Sequence, residues 1–150
     1  FDLDGHKNKE TNTMYGFLLQ DWITIRGANS PLVSSIIQTE SNYASLQPYQ
    51  DIIFWLEVRE ITLSSATNIT VNYETAPTKD ESLFTAMVAG PAVTAANTTP
   101  TITKVLLSQN PTCPLARWVR WRLSVTGTPV AAWDMTFRIT AAANAVSSLM

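Results

Sequence analysis

The chain has 150 residues, 45% of them hydrophobic and 15% charged, with a formal charge of −2 and one cysteine. That length suits one domain burying roughly two thirds of its unfolded surface, and the low charge against a usual ~25% supports a substantial core. The balance excludes a basic nucleic-acid binder, the lone Cys113 excludes an internal disulfide scaffold, and no apolar run approaches the ~18 residues of a membrane span.

Residues 1–14 are polar and aperiodic and read as an N-terminal arm. A start at Phe1 rather than Met points to an initiator or a longer segment lost upstream, and Asp2, Asp4, His6, Lys7, Lys9 and Glu10 make a poor signal sequence. Asp2-Leu3-Asp4-Gly5 opens like a calcium loop, but the later ligand positions do not follow. His6 has no partner at metal-ligand spacing.

Tyr15 to Ile25 is the first expected strand, with Phe17, Leu19, Trp22, Ile23 and Ile25 as candidate core residues. Its broken alternation predicts a bulge or a strand covered on both faces. After the Gly27–Pro31 turn, a second strand is expected over Leu32–Thr39, then a loop over residues 40–50. Asp51 to Leu63 is the longest strand candidate. Ile52, Phe54, Leu56 and Val58 share one parity, and Ile61 and Leu63 take the other. One extra residue, or a crossing between sheets, would restore their facing; the β-branched and aromatic content argues against a helix capped by Asp51.

Ile69, Val71 and Tyr73 mark a clean alternating strand. Thr75–Ser82 is a charged loop, Leu83–Val88 a short strand or helical turn, Gly90–Thr101 a surface loop and Thr103–Leu107 another short strand. Twenty threonines suit pleated, half-buried surfaces.

The strongest pattern runs from Trp118 to Ile139. Val119, Trp121, Leu123 and Val125 alternate with Arg120, Arg122 and Ser124, and Trp133, Met135, Phe137 and Ile139 alternate with Asp134, Thr136 and Arg138. The two runs, joined by Thr126-Gly127-Thr128-Pro129, read as an antiparallel hairpin with one apolar and one polar face. Ala141 to Met150 is a small, apolar tail. About eight strands spaced ten to fifteen residues apart predict an all-β antiparallel sandwich over residues 15–141, with the jelly roll among its candidate arrangements. Residues 142–150 follow as the C-terminal tail.

The chain reads as non-enzymatic, without a metal or cofactor. A Cys–His pair would have to join Cys113 to His6 in the arm, and Asp51, Glu57, Glu60 and Glu74 read as solvated strand carboxylates rather than a glycosidase pair. No phosphate-binding glycine loop occurs. The sequons at Asn68-Ile69-Thr70 and Asn97-Thr98-Thr99 are as expected by chance in so Thr-rich a chain. Trp118 beside Arg120 and Arg122 could stack on a sugar or a base. The favoured reading is plainer: arginine stems cover the sheet, and their heads pair with Asp134 or Glu57. An exposed Trp118 would point to a protein contact.

Asp51-Ile-Ile-Phe-Trp-Leu-Glu-Val-Arg-Glu-Ile61 with Val71-Asn-Tyr-Glu-Thr-Ala-Pro-Thr-Lys-Asp-Glu81, and Leu115-Ala-Arg-Trp-Val-Arg-Trp-Arg-Leu123 with Ala132-Trp-Asp-Met-Thr-Phe-Arg-Ile139, together resemble small β-sandwich capsid decoration or cement proteins of tailed bacteriophages. The resemblance, over residues 50–140, implies a structural virion protein at the capsid surface. It implies a homo-oligomer bound to the major capsid protein or another virion protein, without nucleic acid or membrane. The expected contact residues are Phe1 and Leu3 in the arm and Trp118, Arg120, Arg122 and Arg138 on the polar face. Ala116 to Thr126 also resembles a late strand of discoidin-type, galactose-binding-like sandwiches, which makes a carbohydrate-binding module, with a glycan partner, the alternative. This chain lacks the cysteine pair that many of those modules carry.

Overall fold

The computed structural model describes residues 14–47, 49–64, 67–89, 92–94, 101–107 and 115–145. The first sheet has the order β1 (Met14–Gly27), β10 (Trp133–Ala145), β4 (Tyr49–Thr62), β8 (Thr101–Leu107). The second has β2 (Ser35–Ile37), β9 (Trp118–Gly127), β5 (Thr67–Ala76), β6 (Thr85–Ala89). Two short pieces lie off these paths: β3 (Ala44–Ser45) pairs with β9, and β7 (Val93–Thr94) with β5.

The pairing is nested. β1 pairs with β10, β2 with β9, β4 with β8 and β5 with β6, all antiparallel. The first half of the chain thus runs against the second half in reverse order, like one long hairpin rolled up. The β10–β4 and β9–β5 contacts close each sheet. This is a jelly roll, the all-β sandwich expected from the strand spacing.

The expected C-terminal hairpin is corrected by this topology. β9 and β10 belong to opposite sheets, so Thr128–Ala132 crosses from one to the other. Alternation reports which residues meet a core, but not which wall they stand on, and both walls of a sandwich turn the same apolar set inward. All eight odd residues of the two runs are buried, and Trp121 meets Phe137 edge-to-face across the core at 5.2 Å between centroids. A second bridge is the Phe54–Tyr73 stack at 3.9 Å. Opposite large residues the wall is built from small ones: Ala141 sits between Phe17 and Phe54 in register, and Ala143 between Tyr15 and Ile52. The alanines read from sequence as the start of the tail are therefore central strand positions, with β10 continuing to Ala145.

The parity switch in β4 is a bulge. Val58 pairs with Phe137 and Glu60 with Thr136, leaving Arg59 as the extra residue that lets Ile61 and Leu63 return to the core side. β1 is irregular between Leu18 and Gln20 and again between Gln20 and Ile23. The strand expected over residues 32–39 shrinks to Ser35–Ile37: the Gln38 N–H still donates to the Trp121 carbonyl at 3.2 Å, but the return bond from the Trp121 N–H goes to the Gln38 side chain, which acts as a tie. Its buried amide donates to the Leu19 and Asn42 carbonyls at 2.6 and 2.9 Å, and its Oε1 accepts from the Trp121 N–H at 3.2 Å. One side chain thereby satisfies backbone groups on both sheets. The loop read over residues 40–50 contains a 3₁₀ turn, Glu40–Asn42, and ends where β4 begins.

Candidate functional site

Even-numbered residues of β9 face away from the core, as their alternation requires, but the face is not open. Asp80 Oδ1 accepts from the Ser82 N–H at 3.0 Å and the Ser82 hydroxyl at 2.8 Å, which caps a 3₁₀ turn at Glu81–Leu83. That turn carries Glu81 and Phe84 over β9, where Phe84 meets Tyr43 edge-on at 5.3 Å between centroids. Arg120 lies beneath this lid with 0% exposure. Its Nε donates to Glu74 at 2.8 Å, its Nη1 to the Tyr43 hydroxyl at 2.9 Å, and both Nη atoms to the Glu81 carboxylate. Its Cζ sits 3.8 Å from the Phe84 ring centroid. Burial alone opposes the Arg120 charge, but the hydrogen bonds to Glu81, Tyr43 and Glu74 outweigh it and raise the guanidinium pKa. The Glu81 carboxyl is lowered by the Arg120 hydrogen bond.

The expectation that Arg120 faces water or a partner is therefore corrected. Strand parity selects a face, and residues 40–43 and 79–84, distant in sequence, cover it. Arg122 is partly exposed, with its Nε 2.9 Å from Glu74 and its Nη2 3.4 Å from Glu81. Trp118 is half-buried, its ring approached by Lys79 at 4.6 Å and Arg117 at 5.1 Å. The partner expected for these arginines, Asp134 or Glu57, is replaced by Glu74 and Glu81. Glu74 is the cross-strand neighbour of Arg120 in the β5–β9 register, a relation hidden until the pairing is known.

On the opposite outer face, Arg138 does pair with Glu57, its cross-strand neighbour, through two bonds of 2.7 and 2.9 Å. The Arg138 hydrogen bond lowers the Glu57 carboxyl, against the opposing effect of partial burial. Glu57 and Glu74 thus stand on opposite sheets, each held by arginine. Arg138 and Arg59 both approach the Trp22 ring, at 4.8 and 4.1 Å from its centroid. Beside them the surface dips into a concavity of about 770 Å³, lined by Trp22, Thr24, Arg26, Arg59, Glu60 and Asp134 among others.

Beyond Arg138 the same face carries an apolar stretch, bounded at its far end by the Asn144–Asp51 pair. Leu18, Thr140 and Trp55 form one cross-strand row, and Gly16, Ala142 and Ile53 the next. Leu18 is 49% exposed. Sequence reading missed this surface because Ile53 and Trp55 alternate with equally apolar core residues. The arm positions Phe1 and Leu3, with His6 and Cys113, lie outside the described residues.

No family model and no curated protein matches the sequence. Among solved structures, a chain of the infectious bursal disease virus Gx strain superposes with a TM-score of 0.57 at 12% identity, over 92% of this chain and 33% of that one. The VP2 subviral particle of the same virus gives 0.53 at 10% identity, over 92% and 33%. Eiger TNF from S. frugiperda gives 0.50 at 7% identity, over 93% and 96%. The chain spans about a third of the viral chains it matches, and at these identities the likeness is one of fold.

Proposed function

We propose that this chain is a non-enzymatic structural protein of a virus particle, acting as a decoration or cement protein that binds and stabilises the shell of a tailed bacteriophage. The observation that supports this most is the nested jelly roll, which 92% of the chain shares with a chain of a virus particle. The resemblance of residues 50–140 to phage decoration proteins supports the same reading. The mechanism is mechanical. A sandwich whose loops are clamped around Arg120 presents a fixed surface, and many copies on one lattice bind with avidity.

Leu18, Ile53 and Trp55 form the centre of the contact on the β1–β10–β4 face, with Arg138 at its rim and the arm residues Phe1 and Leu3 reaching a neighbour. Trp118 and Arg122 make a second, smaller contact on the β9 face. An interface of ~1,600 Å² suffices for a stable clamp. The partners are the major capsid protein or another virion protein, and further copies of this chain.

Co-sedimentation with undecorated shells of the particle whose genome encodes the chain tests the proposal. The expected result is saturable binding that raises the temperature at which the shells break. Leu18→Glu with Trp55→Glu should abolish it, while Arg122→Glu weakens it modestly. Shells that leave the intact protein in the supernatant overturn the reading.

A further inference from the structure

The strands flanking β10 are both bulged at the same height. β1 slips between Gln20 and Ile23, opposite Ile139 and Phe137, and β4 carries its extra residue, Arg59, opposite Phe137 and Thr136. Gln20 turns inward to accept from the Trp121 indole at 3.1 Å, and Ile23 packs on the core, so Trp22 between them is turned outward. Two independent insertions thus bring Trp22 and Arg59 together at the mouth of the concavity. Bulges recur where a side chain must be re-aimed beside a site.

The concavity is chemically unlike the rest of the surface. Over β9 every arginine of the cluster is matched to a carboxylate. In the concavity, Arg26, Arg59, Glu60 and Asp134 have no ion-pair partner among the described residues. These four charges sum to zero, and the Thr24 and Thr136 hydroxyls, 2.8 Å apart, lie between them. The Trp22 stack orients the Arg59 guanidinium while leaving its N–H groups free of other protein acceptors among the described residues. An anion would meet Glu60 and Asp134, a cation would meet Arg26 and Arg59, and an apolar ligand would find little beyond the indole. A neutral polyhydroxylated ligand uses both kinds of charge: carboxylates accept from its hydroxyls, and guanidinium groups, Arg59 held by the Trp22 stack, donate to its oxygens. The volume lies within the ~300–1,000 Å³ of small-ligand sites.

We infer that this concavity is a binding site for a short segment of a neutral oligosaccharide. The site does not depend on the virion reading, since the shell contact is assigned to the apolar stretch of the face. The test applies the whole chain to an array of immobilised neutral and acidic oligosaccharides, followed by saturation-transfer NMR with a retained saccharide. Neutral saccharides should be retained. Asp134→Asn, an isosteric change at a half-exposed position, should weaken binding about tenfold, the effect of losing one charged hydrogen bond. Trp22→Ala should abolish it, and Arg117→Ala, just ahead of β9 in the other sheet, should leave it unchanged. No retention overturns the inference, as does retention indifferent to both Asp134→Asn and Trp22→Ala. Retention of acidic saccharides only overturns the neutral class. If the parent chain binds shells but no saccharide, and Trp22→Ala no longer binds shells, the concavity belongs to a protein partner instead.

Discussion

Replacing Arg120 by Met removes the charge at the centre of the β9 cluster while keeping most of its volume. Breaking a buried ion pair from one side costs about 3–5 kcal/mol, mainly through the partner left unmatched. Here the partners are unequally exposed. Glu74 has a side-chain exposure of 10% but keeps Arg122, whereas Glu81 is 60% exposed and regains water. The cost therefore belongs at the low end, about 3 kcal/mol. At 2–4 °C per kcal/mol for a chain of this size, the midpoint of thermal unfolding should fall by roughly 6–12 °C. Calorimetry or urea unfolding followed by tryptophan fluorescence measures it. Arg120→Lys keeps the charge but not the fork, and should lose less. A value for Arg120→Met within about 0.5 kcal/mol of the parent, as for an exposed pair, would falsify the claim that this arginine holds the lid.

Gly27→Ala should destabilise the fold by about 1–3 kcal/mol, because the added Cβ falls inside the buried Trp133 indole; unchanged urea unfolding would contradict that packing. Deleting Arg59 removes the β4 bulge but leaves Val58, Ile61 and Leu63 in regular alternation on the core side, with Glu60 and Thr62 outward, so the variant should keep cooperative unfolding; loss of cooperativity would contradict the assignment of Arg59 as the extra residue. The lowered carboxyls of Glu57 and Glu81 contribute stability that is full above their unfolded value of about 4.5 and is lost as pH falls through their folded values. Thermal midpoints should drop on acidification below about pH 5, and less steeply in Glu57→Gln/Glu81→Gln; identical slopes would refute the linkage.

The core is legible in the sequence wherever apolar residues alternate with polar ones. β5, β9, β10 and the first part of β4 face as read, and even the β4 bulge is visible as a change of parity. Pairing is not legible, because period-two alternation carries no information about the neighbouring strand. Hence Trp118–Val125 and Trp133–Ile139 read as a hairpin although they form opposite walls. The same gap hides the cross-strand pairing of Glu74 with Arg120. The Glu81 lid depends on contacts across 39 residues, beyond any local pattern. The Arg138–Glu57 pair is legible because each stands at an outward position of a well-defined strand. The concavity rests on two insertions in separate strands, which show in sequence only as imperfect periodicity.

The most direct test of the proposed structural role is cryo-electron microscopy of undecorated shells incubated with the chain. The structural reading predicts eight-stranded sandwich density at symmetry-related lattice positions, with Leu18, Ile53 and Trp55 against a neighbouring subunit. Shells that remain bare at saturating protein would contradict it.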